Sequence, residues 1–147
     1  AFVQALLQGN LKEMNVYMND VAQVTFSSFD TGRHPSGKAQ PERFYHGFVL
    51  GLIADQADQY EICSNRESGF GRYDIVLEPL SQADDAIIIE FKVYNFRREK
   101  NLEETLKNAL QQIEDKKYDT ELLSAGVTGI YKYGVAFSGK KVEVTVG

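Results

Sequence analysis

Two runs, Arg72-Tyr73-Asp74-Ile75-Val76-Leu77 and Ile87-Ile88-Ile89-Glu90-Phe91-Lys92-Val93, have the apolar character of buried strands, yet each holds charge in its interior. An unpaired charge taken out of water is expensive, so a packed strand has no ordinary use for a carboxylate. Side chains alternate along a strand, which puts Glu90 and Lys92 on one face and Ile89, Phe91 and Val93 on the other. If the two runs pair side by side, Asp74, Glu90 and Lys92 converge. Two carboxylates with an ammonium in a cleft are the makings of a magnesium site with a cationic helper. Taken singly, Asp74 or Glu90 reads more simply as half of a salt bridge at a strand end. The three together inside apolar strands favour the metal.

Around these runs the pattern is that of one folded domain. The chain has 147 residues, 43% hydrophobic and 12% aromatic, an ordinary globular composition with length enough for a real core. No apolar stretch approaches the length of a bilayer span and nothing resembles a signal peptide, so a cytoplasmic setting with no membrane partner is expected. Cys63 is the single cysteine, which excludes an intrachain disulfide and a cysteine-based zinc site. The net charge of −5 does not advertise a nucleic-acid binder, although a local basic strip can coexist with it. Arg97, Arg98, Lys100, Lys107, Lys116 and Lys117 could form one, or could be scattered solvated charges. The tyrosines and phenylalanines read mostly as core and not as a base-stacking platform, with no interleaved basic and aromatic strip. The start at Ala1, without a methionine and inside an apparent helix, is what a fragment or excised domain would show.

Upstream, Phe2 to Gln8 reads as a helix stopped by Gly9, and Asn10 with Glu13 forms a capping-box start for a second helix reaching about Phe26. Thr31 to Pro41, rich in Gly, Pro and Ser, reads as a loop. Pro41 and Glu42 suit the first turn of a third helix ending near Gln56 to Asp58. A strand at Tyr60 to Ser64 follows, then the Asp74 and Glu90 strands, whose short connection favours an antiparallel pair. Leu102 to about Lys117 has helical spacing, as does a short piece around Glu121 to Ala125 before Gly126. Ile130 to Phe137 and Val142 to Val146 read as two last strands around Gly139. Helices, three strands, a helix and two strands imply an α/β fold with a mixed central sheet flanked by helices.

The longer strings Glu42-Arg43-Phe44-Tyr45-His46-Gly47-Phe48, Ser64 through Ile75, Ile88-Ile89-Glu90-Phe91-Lys92, Ala109-Leu110-Gln111-Gln112-Ile113 and Gly134 through Lys140 resemble the PD-(D/E)xK nuclease superfamily, the restriction-endonuclease-like fold. They look like the branch whose nuclease-like domain lies C-terminal to an AAA-type ATPase-like domain in bacterial proteins. The resemblance covers the chain from about Leu6 onward. It implies residues 41–147 as the nuclease-like domain, with 1–40 as an N-terminal helical segment and loop linking to an ATPase-like part. It assigns Asp74 and Glu90 as metal ligands, Lys92 as catalytic lysine and Glu42 as a third ligand, for Mg²⁺ with Mn²⁺ as substitute. Glu42 is equally well explained by the helix dipole. His46, four residues on, reads as a supporting or packing residue, since a magnesium site does not want imidazole. Gln112 resembles the helix glutamine of exonuclease-like members, which carry a tyrosine four residues later where this chain has Lys116. Lys116 is then a phosphate contact or, more simply, an exposed helix lysine. Arg72 is a phosphate contact or a counter-charge to the carboxylates. The implied activity is DNA hydrolysis, with RNA behind DNA as substrate, and pairing into a homodimer is an expectation of the same kind. The rival is a nuclease fold that no longer cuts and serves to bind nucleic acid or regulate the ATPase-like domain.

Overall fold

The computed structural model describes residues 2–30, 39–67, 72–81, 85–116, 118–138 and 141–147; side chains are described for these except at 2, 25–30, 39–45, 55, 65–67, 72, 73, 118, 119 and 121. Three helices lead: α1 (Phe2–Gln8), α2 (Leu11–Asp30) and α3 (Ala39–Ile53), the last ending in a single 3₁₀ turn, Ala54–Gln56. Strands β1 (Tyr60–Glu67), β2 (Arg72–Pro79) and β3 (Ala86–Val93) follow, then helices α4 (Leu102–Lys116) and α5 (Tyr118–Ser124), then β4 (Ile130–Ser138) and β5 (Lys141–Val146). The five strands lie in chain order in one sheet. Every neighbouring pair is antiparallel except β3 and β4, which are parallel because α4 and α5 carry the chain back across the sheet. This is the mixed α/β sheet expected, with the restriction-endonuclease-like architecture.

Boundaries moved outward from the sequence reading. α2 runs on to Asp30 because no glycine or proline interrupts it before Gly32. α3 begins at Ala39, two residues before Pro41, which still falls in the first turn where its missing N–H costs nothing. Of the expected loops at Thr31 to Pro41, Asn65 to Gly71 and Pro79 to Asp85, residues 39–41 are helical and 65–67 and 79 belong to strands. Residues 31–38, 68–71 and 82–84, like 139–140 at the last turn, lie outside the described residues. Half of the capping box is present: Glu13 N–H donates to Asn10 Oδ1 (3.2 Å), while Glu13 Oε2 accepts from the Asn10 side-chain Nδ2 (3.3 Å) and not from its backbone N–H. α1 ends on Gly9 at φ 72°, with Asn10 N–H bonded to Ala5 O at 2.8 Å, a left-handed stop that glycine enters without strain.

Alternation divides the sheet cleanly. On one face Ile75, Leu77, Ile87, Ile89, Phe91, Tyr133, Val135 and Phe137 pack against Ala5, Leu6, Met14, Met18, Ala22, Val49 and Ile53 from α1, α2 and α3 in one core. Tyr133 crosses that core to donate its hydroxyl to Leu6 O at 2.7 Å; burial, with Tyr131 beside it, pushes its pKa up to about 12. On the other face Val76, Ala86 and Ile88 pack against Ile113 of α4, Leu122 of α5 and Val127. Gly134 of β4 lets α4 come close: a Cβ there would lie 3.4 Å from Leu106 O and 3.5 Å from Ala109 Cβ. Asp74 and Glu90 belong to this second face.

Candidate active site

The β2–β3 register sets Asp74 directly opposite Glu90 and Arg72 opposite Lys92. Cross-strand partners share a face, so the two carboxylates point the same way, toward α4. Both are wholly buried. They sit at the polar end of a strip whose next members, Val76 and Ile88, belong to the apolar core under α4. Ile75, Ile89 and Phe91 anchor the opposite face and fix this orientation, because slipping either strand by one residue would turn the apolar set outward.

A third group reaches the pair from α4. The Lys116 ammonium donates to Asp74 Oδ2 at 2.5 Å and lies 3.6 Å from Glu90 Oε1. Its side chain is only 16% exposed. The plain expectation for Lys116, an exposed helix lysine, is therefore corrected: its ammonium turns inward to the buried negative charge, and its four methylenes span the gap from the helix. Gln112 lies one turn earlier on the same face of α4, half-buried.

Lys92 is placed otherwise. It shares Glu90's face, but its ammonium bonds Glu99 Oε2 at 2.7 Å, so the expected meeting of Asp74, Glu90 and Lys92 at one point is not what the geometry has. Glu99 went unnoticed in the sequence because a lone acid among Arg97, Arg98 and Lys100 looks like one more loop charge. It is 4% exposed and accepts four hydrogen bonds: from Lys92, from Asn95 N–H (2.9 Å), from Thr105 Oγ1 (3.0 Å) and from Asn108 Nδ2 (2.5 Å). Burial raises its pKa, but the bonds from Lys92, the Asn95 backbone and Asn108, with the Lys92 charge, outweigh burial and hold the carboxyl below its usual range. The discoverable signal was Thr105, a polar residue buried between apolar positions in the first turn of α4, with Asn108 one turn on.

The remaining candidates are placed more simply. Glu42 falls in the first turn of α3 and Arg72 opens β2, but both side chains lie outside those described. His46 sits on the other side of the sheet, its Nε2 2.5 Å from Ser64 Oγ and its ring edge-on to Phe91 with centroids 6.3 Å apart. That suits a supporting role.

The donor set can be tested against a divalent cation. Asp74 and Glu90 offer hard oxygen donors only, both already desolvated and held across one strand pair, with a cation at ion-pair distance. That chemistry fits Mg²⁺, which takes one or two carboxylates and completes its shell with water and substrate oxygens. Among the described residues no group of three or more histidine, cysteine, aspartate or glutamate side chains comes together, so a third protein ligand would have to come from elsewhere, as Glu42 could. No helix among them is long and apolar enough to cross a membrane.

Comparison with known proteins agrees with the motif. The family model of the PD-(D/E)XK nuclease superfamily matches residues 40–146, from the start of α3 through β5. No curated protein matches the chain. With the mixed sheet, the facing acids of β2 and β3 and a family match over most of its length, the chain belongs to the PD-(D/E)XK nuclease superfamily.

Proposed function

We propose that this domain is a metal-dependent nuclease that hydrolyses phosphodiester bonds of DNA at the Asp74–Glu90 pair. The observation that carries the proposal is that pair itself: two wholly buried carboxylates in register on adjacent strands carry more negative charge than the Lys116 ammonium beside them balances, which favours a divalent cation there. Mg²⁺, or Mn²⁺ in its place, supplies an acidified water and a counter-charge for the phosphate when bound. Asp74 and Glu90 would hold it, with Glu42 as the candidate third carboxylate. Lys116 presents its ammonium where negative charge develops on the phosphate, and Gln112 on the same helix face orients the attacking water. Lys92, the lysine of the Glu-x-Lys motif, adds a second cation on Glu90's face, steadied by Glu99. Arg72, opposite Lys92 in the register, is a candidate phosphate contact. The resemblance to the branch with an AAA-type ATPase-like domain supports such a domain as partner in a cytoplasmic protein. DNA leads RNA as substrate, and pairing into a homodimer would let two sites cut two strands.

One observation favours a second reading. Lys116 already pairs with the carboxylates and Lys92 with Glu99, so the charged set is nearly self-contained. A silent nuclease fold that binds nucleic acid or regulates its ATPase-like domain would need no more. Titration calorimetry with Mn²⁺ separates the two. For the nuclease, Asp74→Asn and Glu90→Gln each lose Mn²⁺ binding and Mn²⁺-dependent cleavage of linear, circular or single-stranded DNA while the fold persists. Lys116→Met, which removes a competing charge at ion-pair distance, tightens Mn²⁺ binding by about tenfold or more, yet cuts poorly. Metal binding indifferent to Asp74, or undiminished cleavage by both carboxylate variants, would leave the silent module.

A further inference from the structure

The segment joining β3 to α4, Tyr94-Asn95-Phe96-Arg97-Arg98-Glu99-Lys100, has a fixed inner end and an unusual outer one. Inside, the buried Glu99 carboxylate ties the segment to Lys92 of β3 and to Thr105 and Asn108 of α4. The turn is closed by Arg98 N–H and Glu99 N–H on Asn95 O (3.1 and 2.8 Å) and by Arg97 N–H on Asn95 Oδ1 (3.0 Å). Its one acid is thus consumed in the base. What faces water is Phe96, Arg97, Arg98 and Lys100. Phe96 is 63% exposed, the one exposed aromatic ring among the described side chains, and the Arg97 guanidinium carbon lies 5.8 Å from its centroid. The aromatics are expected to be mostly core, and Phe96, with basic residues beside it, is the exception at this turn.

We propose that this turn is a docking element for single-stranded DNA, with Phe96 stacking on an unpaired base and Arg97, Arg98 and Lys100 taking the neighbouring phosphates. The proposal rests on the nuclease reading of the carboxylate pair and names the form of its substrate. Three exposed cations within four residues of one exposed ring, in a chain of net charge −5, suit a polyanion with an apolar flat face rather than an apolar protein surface. In a duplex the base faces are covered by their neighbours, so a protruding ring finds a partner only where bases are unpaired. Glu99 ties the base of the turn to Lys92, which lies on Glu90's face, so the turn is anchored on the carboxylate side of the sheet.

The test is a fluorescence-anisotropy titration, without divalent metal, of a labelled oligothymidylate and a matched duplex against the full chain and its variants. Phe96→Ala, an exposed change that leaves the fold intact, should weaken single-strand binding at least about fivefold, the low end of one lost base stack, and leave duplex binding within about twofold. Phe96→Trp should restore it. Removing Arg97 and Arg98 together should weaken both ligands and flatten the salt dependence on single strands by about 1.4, or 0.7 per phosphate contact. Equal single-strand affinity for Phe96→Ala and the native chain overturns the proposal, as does a native preference for duplex. Mn²⁺ calorimetry on the same samples keeps the two ideas apart: Asp74-dependent Mn²⁺ binding alongside an indifferent Phe96 removes the docking element alone. Absent Asp74-dependent Mn²⁺ binding removes the nuclease reading beneath it.

Discussion

Glu99 illustrates how one side chain couples charge to stability. Burial raises the pKa of its carboxyl, but the bonds from Lys92, the Asn95 backbone and Asn108, with the Lys92 charge, outweigh burial and hold it below the ordinary value of 4.5 in the folded chain. The unfolded chain therefore takes up the proton first as pH falls, so the stabilisation is complete above about pH 4.5 and is lost on further acidification. Glu99→Gln should lower stability by about 2 kcal/mol near neutrality, the range for bonds to a charged group, and should make the drop below pH 4.5 shallower. Thermal melts of both proteins from pH 7 to pH 3 check it; parallel curves would mean that Glu99 carries no charge-dependent stability. At the carboxylate pair the outcome was only half legible. Asp74 facing Glu90 follows from alternation and a short connection, both local properties. The choice of Lys116 over Lys92 as their nearest cation does not, because it depends on where α4 crosses the sheet.

Among the elements, β5 and α2 show a device that no periodicity announces. β5 lies at one edge of the sheet, where its outward N–H and C=O groups would invite pairing with another chain. Asn15 and Asn19, one turn apart on α2, cover them. Asn15 receives Val144 N–H at 2.8 Å and donates to Val144 O at 3.0 Å; Asn19 does the same with Val142, at 3.0 and 2.7 Å. Each side-chain amide thus imitates the backbone of a neighbouring strand. Replacing both by Ala removes the four hydrogen bonds to β5, with one more from each amide to a carbonyl of α2, and should cost about 2–4 kcal/mol, since the half-buried strand groups lose partners. The double variant should also self-associate in sedimentation velocity at concentrations where the native chain does not. A variant as stable and as dispersed as the native chain would show that water replaces the amides without loss.

For the molecule as a whole, the question is what the first two helices do. The family match begins at residue 40, and the sequence reading put a boundary near there, yet Leu6, Met14 and Met18 are buried in the same core as Ile75, Ile89 and Tyr133. Three such side chains at about 2 kcal/mol each are a large share of the roughly 5–15 kcal/mol by which a domain is stable. A chain beginning at Ala39 should lose its cooperative thermal transition and bind hydrophobic dye, because one face of the sheet would be stripped. A sharp melt within a few degrees of the full chain would show that residues 41–147 stand alone.

By itself the sequence determined the α/β class, the order of helices and strands, and the suspect carboxylates, because strand alternation, helical spacing and charge within apolar runs are written over a few neighbouring residues. Only the tertiary structure decided which cation reaches those carboxylates, that Glu99 fastens the turn after β3, and that α2 seals the edge of β5. Those contacts join residues up to 129 positions apart, as Asn15 and Val144 are. Their existence depends on distances across a packed sheet that no local pattern encodes.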